Sequence, residues 1–155
     1  MINSTLCYLE NDGCYLMLHR IKKKNDVNEG KWIGVGGKLE ENESPTECCR
    51  REVLEETGLR ARKLQYRGLI TFVNDCCEGE YMHLFTGACD DGSFGPCSEG
   101  ELAWVAKEKL WELNLWQGDR LFLQRLLHDA PFFSMKLVYH GDELQQAYLD
   151  ETRIV

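Results

Sequence analysis

Apolar and polar residues alternate, or apolar residues run together, in several short segments of the chain, a pattern typical of β-strands. The predicted strands cover residues 2–10, 14–21, 32–35, 64–73, 81–89, 102–106, 134–140 and 143–149. A turn at Asn11-Asp12-Gly13 joins the first pair, and Gly141-Asp142 predicts a hairpin between the last pair. Asn, Asp and Gly favour these positions because they tolerate the left-handed backbone of tight turns.

Helical signals follow the third predicted strand. Ser44, Pro45 and Glu47 predict a helix start, because Ser and Glu form a capping box and Pro suits the first helical position. Gly58 predicts the end of this helix, since glycine readily adopts the left-handed conformation found after helices. The apolar side that we expect to pack on the sheet carries Cys49 and Val53, with Leu54 further round. A helical turn and a second full helix are predicted at residues 107–113 and 119–128.

Strands mixed with two main helices favour an α/β sandwich, and no repeat, low-complexity tract or linker divides the chain. We therefore expect one domain over residues 1–155. A content of 43% hydrophobic and 28% charged residues is ordinary for a soluble globular protein. Apolar runs such as residues 14–18 are too short to cross a bilayer, and we find no secretion signal. The expected location is cytoplasmic, with no membrane partner.

The formal net charge of −8 argues against a nucleic-acid polymer as the partner, because phosphate backbones attract basic surfaces. A small anionic substrate is compatible with this charge if acidic side chains hold divalent cations that reverse the local field. The eight cysteines show no C-x-x-C pair and no zinc-type spacing with histidine. We interpret them as reduced thiols that act as small apolar residues.

Three glutamates of the first predicted helix carry the candidate chemistry. Glu52, Glu55 and Glu56 stand at i, i+3 and i+4, so their side chains share one helix face and repel one another. Such a carboxylate cluster suits Mg²⁺ or Mn²⁺, which would bridge to substrate phosphates and activate water. The alternative is a solvated acidic face, for which Arg50 and Arg51 are simple surface partners.

The surrounding segment, residues 37–59, reads GKLEENESPTECCRREVLEETGL. It resembles the Nudix box, G-x5-E-x7-R-E-U-x-E-E-x-G-U with U aliphatic, and every specified position is filled. The resemblance implies the Nudix fold, an α/β/α sandwich with a mixed β-sheet and the Nudix loop-helix-loop. It also implies a metal-dependent enzyme, using Mg²⁺ or alternatively Mn²⁺, that hydrolyses a nucleoside diphosphate linked to another group.

The same resemblance implies a role for each matching residue. The metal ligands that it implies are Glu52, Glu55, Glu56 and a backbone carbonyl of Gly37, or of Gly36 beside it. The base would be Glu52 or a neighbouring carboxylate. The supporting residues that it implies are Arg51, which would orient Glu52 through an ion pair, Glu43, and Lys38, which would neutralise phosphate.

Beyond the box, the chain resembles the MutT-like branch of the family, which removes oxidised purine nucleotides such as 8-oxo-dGTP from the nucleotide pool and so serves DNA repair. Glu99 precedes Trp104 by five positions, on a loop before a predicted strand. A similarly spaced pair in the mammalian members provides an additional metal ligand. Glu101 is the alternative for this ligand, and a solvated loop acid is the alternative interpretation of Glu99.

Trp116 and Asp119, at the start of the last predicted helix, resemble the residues with which this branch stacks on the base and reads the purine edge. An aromatic face with a polar group at its edge suits a purine. The alternatives are a core role for Trp116 and an N-cap role for Asp119. Ile33 departs from the branch, whose mammalian members have a base-reading Asn there. Further expected contacts to the base or the phosphates are Thr5, Arg20, Lys23 and Phe72.

These features and the resemblance predict that the chain hydrolyses a (deoxy)nucleoside triphosphate to the monophosphate and pyrophosphate by metal-assisted attack of water. The expected substrate is an oxidised purine nucleotide such as 8-oxo-dGTP. Two alternatives stay open. One is a general or pyrimidine nucleotide diphosphatase of the same fold, and the other is a non-catalytic nucleotide-binding module. The expected partner is this small-molecule nucleotide, and we expect the chain to be a monomer or homodimer.

Overall fold

The computed structural model describes residues 1–155. Its strands are β1 (Ile2–Asn11), β2 (Cys14–His19), β3 (Trp32–Ile33), β4 (Arg62–Asn74), β5 (Glu80–Ala88), β6 (Glu101–Ala106), β7 (Phe133–His140), β8 (Glu143–Leu149) and β9 (Thr152–Arg153). Its helices are α1 (Pro45–Thr57), a 3₁₀ helix (Lys107–Glu112) and α2 (Gln117–Leu127). Every predicted strand and helix is present, and only the two-residue strand β9 has no counterpart in the sequence pattern.

The nine strands form one mixed sheet in the order β3-β2-β1-β5-β4-β7-β8-β9, with β6 also paired to β2. β1 is parallel to β5 and β4 is parallel to β7, whereas the other pairs are antiparallel. β1 and β2 pair only next to their turn. Further along β1, the amides of Cys7 and Thr5 donate to the carbonyls of Val35 and Gly37. The segment that leads into α1 therefore lies against β1, inside the sheet.

The sheet separates two apolar cores, because successive side chains of a strand point to opposite faces. Cys7 of β1 packs in one core with Val53 of α1. Tyr8, the next residue of β1, packs in the other core with Phe122 of α2, at 6.3 Å between ring centroids. One helix therefore covers each face of the sheet, which is the α/β/α arrangement.

α1 has the caps that the sequence predicts. The Ser44 hydroxyl accepts a hydrogen bond from the Glu47 amide, and the Glu47 carboxylate accepts one from the Ser44 amide. Gly58 ends the helix with φ at 75°. Leu54 contradicts the expectation that it packs on the sheet, because it is 42% exposed. It follows the buried Val53, and a helix turns by about 100° per residue, which carries Leu54 off the apolar face.

α2 begins two residues before the predicted start. Trp116 is its N-cap residue and Gln117 its first residue, so the suggested N-cap role of Asp119 is wrong. Asp119 lies inside the first turn, and its own amide donates to the Trp116 carbonyl. The helix extends through Gly118 because this glycine packs closely on β7, where its amide donates to the Tyr139 hydroxyl at 2.8 Å.

Two smaller strand boundaries also differ from the pattern. The predicted strand 32–35 keeps only Trp32–Ile33, because Val35 leaves β2 and pairs with Cys7 of β1. β2 ends at His19 rather than at residue 21. All eight cysteines are free. The helices all fall short of the length and apolar character that crossing a membrane requires.

Candidate active site

Gly36 and Gly37, which we call the glycine strip, allow a close approach between β1 and α1. A Cβ atom at Gly36 would lie 1.9 Å from the Thr5 carbonyl oxygen, and one at Gly37 would lie 2.4 Å from the Glu52 carboxyl carbon. A side chain at Gly36 would therefore collide with backbone, and one at Gly37 would displace the Glu52 carboxylate. The absence of side chains here is what brings Glu52 against the strip.

Arg51 of α1 connects the acidic side chains around it. Its guanidinium forks onto Glu43, with Nε to Oε2 at 2.7 Å and Nη2 to Oε1 at 2.9 Å. Its Nη1 donates to Glu52 at 2.8 Å and to Glu55 at 3.2 Å. The hydrogen bonds from Arg51 lower the pKa of Glu43 to about 2. The same Nη1 also lies 3.6 Å from Glu40. One cation thus contacts four carboxylates, and its hydrogen bonds to Glu43, Glu52 and Glu55 fix their relative positions.

Glu52 and Glu56 are half-buried carboxylates on neighbouring turns of α1. Burial raises the pKa of Glu52, although the hydrogen bond from Arg51 opposes the rise. Burial also raises the pKa of Glu56, whose Oε2 accepts a hydrogen bond from the Cys97 thiol at 3.0 Å. Glu55, the other metal ligand that the resemblance implies on α1, is not buried in this way, because its side chain is 58% exposed. A divalent cation would offset both the burial and the repulsion at Glu52 and Glu56.

Glu99, on the loop before β6, adds a third carboxylate to these two. Its charge contributes to the raised pKa of both Glu52 and Glu56, which reflects its proximity to them. Glu101 is exposed and lies on β6 opposite His19 of β2. The structure therefore favours Glu99 over Glu101 as the additional acid. We call Glu52, Glu56 and Glu99 the acidic cluster.

Arg20 links the acidic cluster to the loop after β2. Its guanidinium lies 3.0 Å from a carboxylate oxygen of Glu99 and 2.7 Å from one of Asp26. The side chains of Arg20 and Asp26 are only 12% and 8% exposed, so this ion pair is largely shielded from solvent. Arg20, itself held by Asp26, therefore helps to fix the position of Glu99.

The acidic cluster offers the hard oxygen donors that Mg²⁺ and Mn²⁺ prefer. The Gly37 carbonyl already accepts hydrogen bonds from the Thr5 amide at 2.9 Å and from the Cys48 thiol at 3.5 Å. No protein hydrogen bond engages the Gly36 carbonyl. Of the two carbonyls that the sequence left open, Gly36 is therefore the one free to bind a cation. The residues present fit a divalent metal ion.

A cavity of about 150 Å³ borders the glycine strip. Phe72 of β4, Trp116 and Tyr139 of β7 form its aromatic wall. The Trp116 and Tyr139 rings meet edge to face at 5.3 Å between centroids, and the indole N–H of Trp116 donates to Asn28 at 2.8 Å. Trp116 is 5% exposed and belongs to the larger core. It is thus a core residue and a cavity residue at once.

Two carboxyl groups reach the same cavity. Asp119 of α2 is buried, and this burial raises its pKa to about 7, with the Lys31 ammonium opposing the rise. Its side chain has no ion-pair partner, so near neutral pH it is available both as a hydrogen-bond donor and as an acceptor. Glu80 of β5 also lines the cavity, and burial raises its pKa while a hydrogen bond from Ser4 opposes the rise.

The other predicted contact residues are only partly brought together. Thr5, Arg20 and Phe72 line the cavity, but Lys23 does not. Lys23 is exposed on the loop after β2, where its neighbour Lys22 donates to the Cys97 carbonyl at 2.9 Å. Lys38 is exposed directly after the glycine strip. Its ammonium is therefore accessible to a bound phosphate chain, whereas that of Lys23 lies outside the cavity.

Four residues of the site have no signal in the sequence: Asn28, Glu80, Tyr139 and Cys97. Asn28 binds the Trp116 indole, and Cys97 binds Glu56. Glu80 and Tyr139 line the cavity. The pattern of residues 134–140 predicts a strand, but spacing along the chain cannot reveal which distant segment Tyr139 meets.

Comparisons with known proteins find related sequences that cover most of the chain. The family model of the NUDIX domain matches residues 3–126. The chain is 30% identical over 131 residues to an oxidized purine nucleoside triphosphate hydrolase of Danio rerio, which is 83% of each chain. It is 30% identical over 132 residues to the nucleoside triphosphatase NudI of Salmonella heidelberg (strain SL476), which is 77% of this chain and 93% of that protein.

The similarity extends to the three-dimensional structure. The crystal structure of a MutT protein from Bacillus halodurans superposes with a TM-score of 0.86 at 26% identity, covering 97% of this chain and 98% of that one. The predicted fold, an α/β/α sandwich with a mixed sheet, is confirmed by this match.

Proposed function

We propose that this chain, which belongs to the NUDIX domain family, hydrolyses an oxidised purine (deoxy)nucleoside triphosphate such as 8-oxo-dGTP to the monophosphate and pyrophosphate. The observation that carries the proposal is the position of the glycine strip. Gly36 and Gly37 line the cavity, and Gly37 also lies against Glu52 of the acidic cluster. A nucleotide with its base in the cavity would therefore direct its phosphates towards the cluster.

The reaction requires little covalent chemistry from the protein. The acidic cluster and the Gly36 carbonyl would hold Mg²⁺ or Mn²⁺, which when bound neutralises phosphate charge and makes a water more acidic. Glu52, or a carboxylate beside it, accepts the proton of the attacking water. The water oxygen bonds to phosphorus, the anhydride bond between the α- and β-phosphates breaks, and pyrophosphate leaves.

Two cationic side chains support these steps. Arg51 fixes the carboxylate of Glu52 through its bond at 2.8 Å while it is itself anchored on Glu43. A positioned base of this kind contributes about 10²- to 10⁴-fold to a rate. Lys38 would bind the phosphate chain through its accessible ammonium, which stabilises the charge that develops on the leaving oxygens.

The cavity supports a purine as the base. Trp116 offers an aromatic surface whose orientation is fixed by Asn28 and Tyr139. Asp119 lies buried at the same cavity with its pKa near 7. Its carboxyl group would accept a hydrogen bond from a ring N–H or, when protonated, donate one to a carbonyl oxygen, and 8-oxoguanine presents both groups on one edge.

The relatives support the substrate class rather than the oxidised base in particular. The Danio rerio protein is named for oxidized purine nucleoside triphosphates, and NudI is named simply as a nucleoside triphosphatase. Hydrolysis of nucleoside triphosphates is common to both names. A general nucleotide diphosphatase is therefore the second candidate, and base selectivity separates it from the first.

A steady-state comparison of 8-oxo-dGTP with dGTP, dATP and dCTP in the presence of Mg²⁺ tests the proposal. We expect monophosphate and pyrophosphate as products and the highest kcat/KM for 8-oxo-dGTP. Equal kcat/KM for all four nucleotides would favour the general diphosphatase. Orthophosphate as the only phosphate product, or no turnover of any nucleotide by the intact protein, would overturn the proposal.

A further inference from the structure

A second group of metal-binding side chains lies apart from the acidic cluster and the cavity. Asp75 and Cys76 stand in the loop between β4 and β5, and His140 ends β7. One donor atom from each residue, a carboxylate oxygen, a thiol sulfur and an imidazole nitrogen, lies within 4.8 Å of the other two, and all three residues are exposed. We propose that Asp75, Cys76 and His140 form a binding site for a zinc ion.

The donor set selects the metal. Zn²⁺ accepts sulfur, nitrogen and oxygen ligands together, in tetrahedral geometry, whereas Mg²⁺ prefers oxygen ligands alone. Metal–ligand bonds of about 2.0 to 2.3 Å place the donor atoms of a tetrahedral site roughly 3.3 to 3.6 Å apart. The three donor atoms lie within 4.8 Å of one another. Small side-chain movements would therefore bring them to the spacing of a tetrahedral site, and water would supply the fourth ligand.

The backbone that carries these donors is already held in place. Asn74, the last residue of β4, pairs with Tyr139 of β7 in the parallel register. Its side-chain amide donates to the Gly141 carbonyl at 2.8 Å, and its side-chain oxygen accepts from the Cys76 amide at 2.9 Å. One buried asparagine therefore ties the loop after β4 to the turn after β7. A metal bound between them would not need to bring two separate segments together.

Asp75 already binds the side chains of both other residues. Asp75 forms an ion pair with Nδ1 of His140 and accepts a hydrogen bond from the Cys76 thiol at 3.2 Å. Zinc would replace these contacts with metal–ligand bonds from the same atoms. The thiol proton of Cys76 and the Nδ1 proton of a charged His140 would pass to solvent, as they do when zinc binds thiolate and neutral imidazole.

The position of the site indicates what the ion would do. Phe72 lies near the end of β4, Glu80 begins β5 after the loop that carries Asp75 and Cys76, and Tyr139 precedes His140. Phe72, Glu80 and Tyr139 all line the cavity. Zinc would thus clamp the strand ends that form one wall of the cavity, and it would raise thermal stability because it binds only the folded arrangement.

Cobalt titration of the full-length, fully reduced, metal-free protein tests the proposal, because a cobalt–thiolate bond gives a near-ultraviolet charge-transfer band that oxygen ligands do not give. We expect one equivalent of Co²⁺ to produce the band and Zn²⁺ to displace it. Cys76→Ser should abolish the band and weaken zinc binding by more than about 100-fold, as expected for loss of a direct ligand. His140→Ala should weaken zinc binding as well.

Two other thiols provide matched controls. Cys77 is the exposed neighbour of Cys76, and Cys97 contacts Glu56 of the acidic cluster. The band should persist in Cys77→Ser and in Cys97→Ser, and Mg²⁺-dependent nucleotide hydrolysis should be unchanged in Cys76→Ser. Absence of any band, a band that persists in Cys76→Ser, or a band lost only in Cys97→Ser would overturn the proposal while leaving the proposed hydrolase function untouched.

Discussion

The acidic cluster and the cavity share the glycine strip but are built in different ways. Two of the three cluster residues come from one helix of 13 residues, and charged contacts hold them in place. The cavity wall comes from β4, the start of α2 and β7, and apolar packing holds it in place. We therefore expect the two regions to control two different properties of the enzyme, its rate and its base selectivity. Changes in the cluster should alter the rate for every base alike, whereas changes in the cavity should alter the preference between bases.

The largest effect should come from Glu52→Gln. We expect kcat to fall by about 10²- to 10⁴-fold for all nucleotides, because the amide cannot accept the proton of the attacking water. Steady-state kinetics with 8-oxo-dGTP and dGTP measure the change. Glu41→Gln is the control, since Glu41 is an exposed residue of the loop before α1. A fall in kcat for only one of the two nucleotides would contradict the expectation that the acidic cluster acts on all bases alike.

Arg51→Lys should have the next largest effect. A lysine cannot form the fork on Glu43 and reach Glu52 at once, so we expect the affinity for Mg²⁺ or the activity to fall by about 10- to 100-fold. The matched control is Arg50→Lys, because the Arg50 guanidinium donates only to the Ala61 carbonyl at 3.0 Å. Magnesium titrations of activity compare the two variants. Equal losses in both would show that the network around Arg51 has no special role.

Trp116→Leu should change selectivity rather than rate. Stacking of a base on an aromatic ring contributes about 1–3 kcal/mol, so the KM for 8-oxo-dGTP should rise roughly tenfold while kcat changes little. Trp111→Leu serves as the control, because Trp111 is 36% exposed and does not line the cavity. Thermal denaturation of both variants checks that the core is retained. A uniform rise of KM for all bases would instead favour the general diphosphatase.

Asp119→Asn should have a smaller effect that depends on pH. The pKa of Asp119 rises from 3.8 to about 7 on folding, so the folded state holds its proton more tightly than the unfolded state does. Both states are protonated below about pH 4, and the charge destabilises the fold increasingly as the pH rises to about 7, beyond which the difference is constant.

The Asn variant lacks this ionisation. Its melting temperature should therefore exceed that of the parent protein by an amount that grows between pH 4 and 7. The corresponding difference in the free energy of unfolding approaches about 4 kcal/mol above pH 7, because each unit of pKa shift corresponds to about 1.36 kcal/mol. Calorimetry across that range measures the difference. A difference that is constant with pH would contradict the buried position of the ionisable group, and unchanged base selectivity in this variant would remove Asp119 from the reading of the base.

The helical part of the acidic cluster was easier to predict from the sequence than the cavity. Ser44, Glu47 and Gly58 define the ends of α1 through local contacts, so the face that carries Glu52 and Glu56 follows from spacing alone. The resemblance to the MutT-like branch, rather than local spacing, identified Trp116 as a site candidate. Local spacing did not reveal Asn28 or Glu80, because these residues reach the cavity only through contacts between segments that are distant in the chain. Lys23 does not line the cavity, because charge alone does not encode the direction in which a loop runs.

The sequence by itself determined the alternation of strands and helices, the caps of α1 and the face on which its glutamates lie, because these depend on contacts within a few residues. The tertiary structure alone decided that Glu99 rather than Glu101 joins the cluster, that the Gly36 carbonyl is free, and that Asp119 is buried at the cavity. Each of these depends on which distant segment packs against the residue, and such packing sets burial, pKa and hydrogen-bond partners in ways that local spacing does not contain.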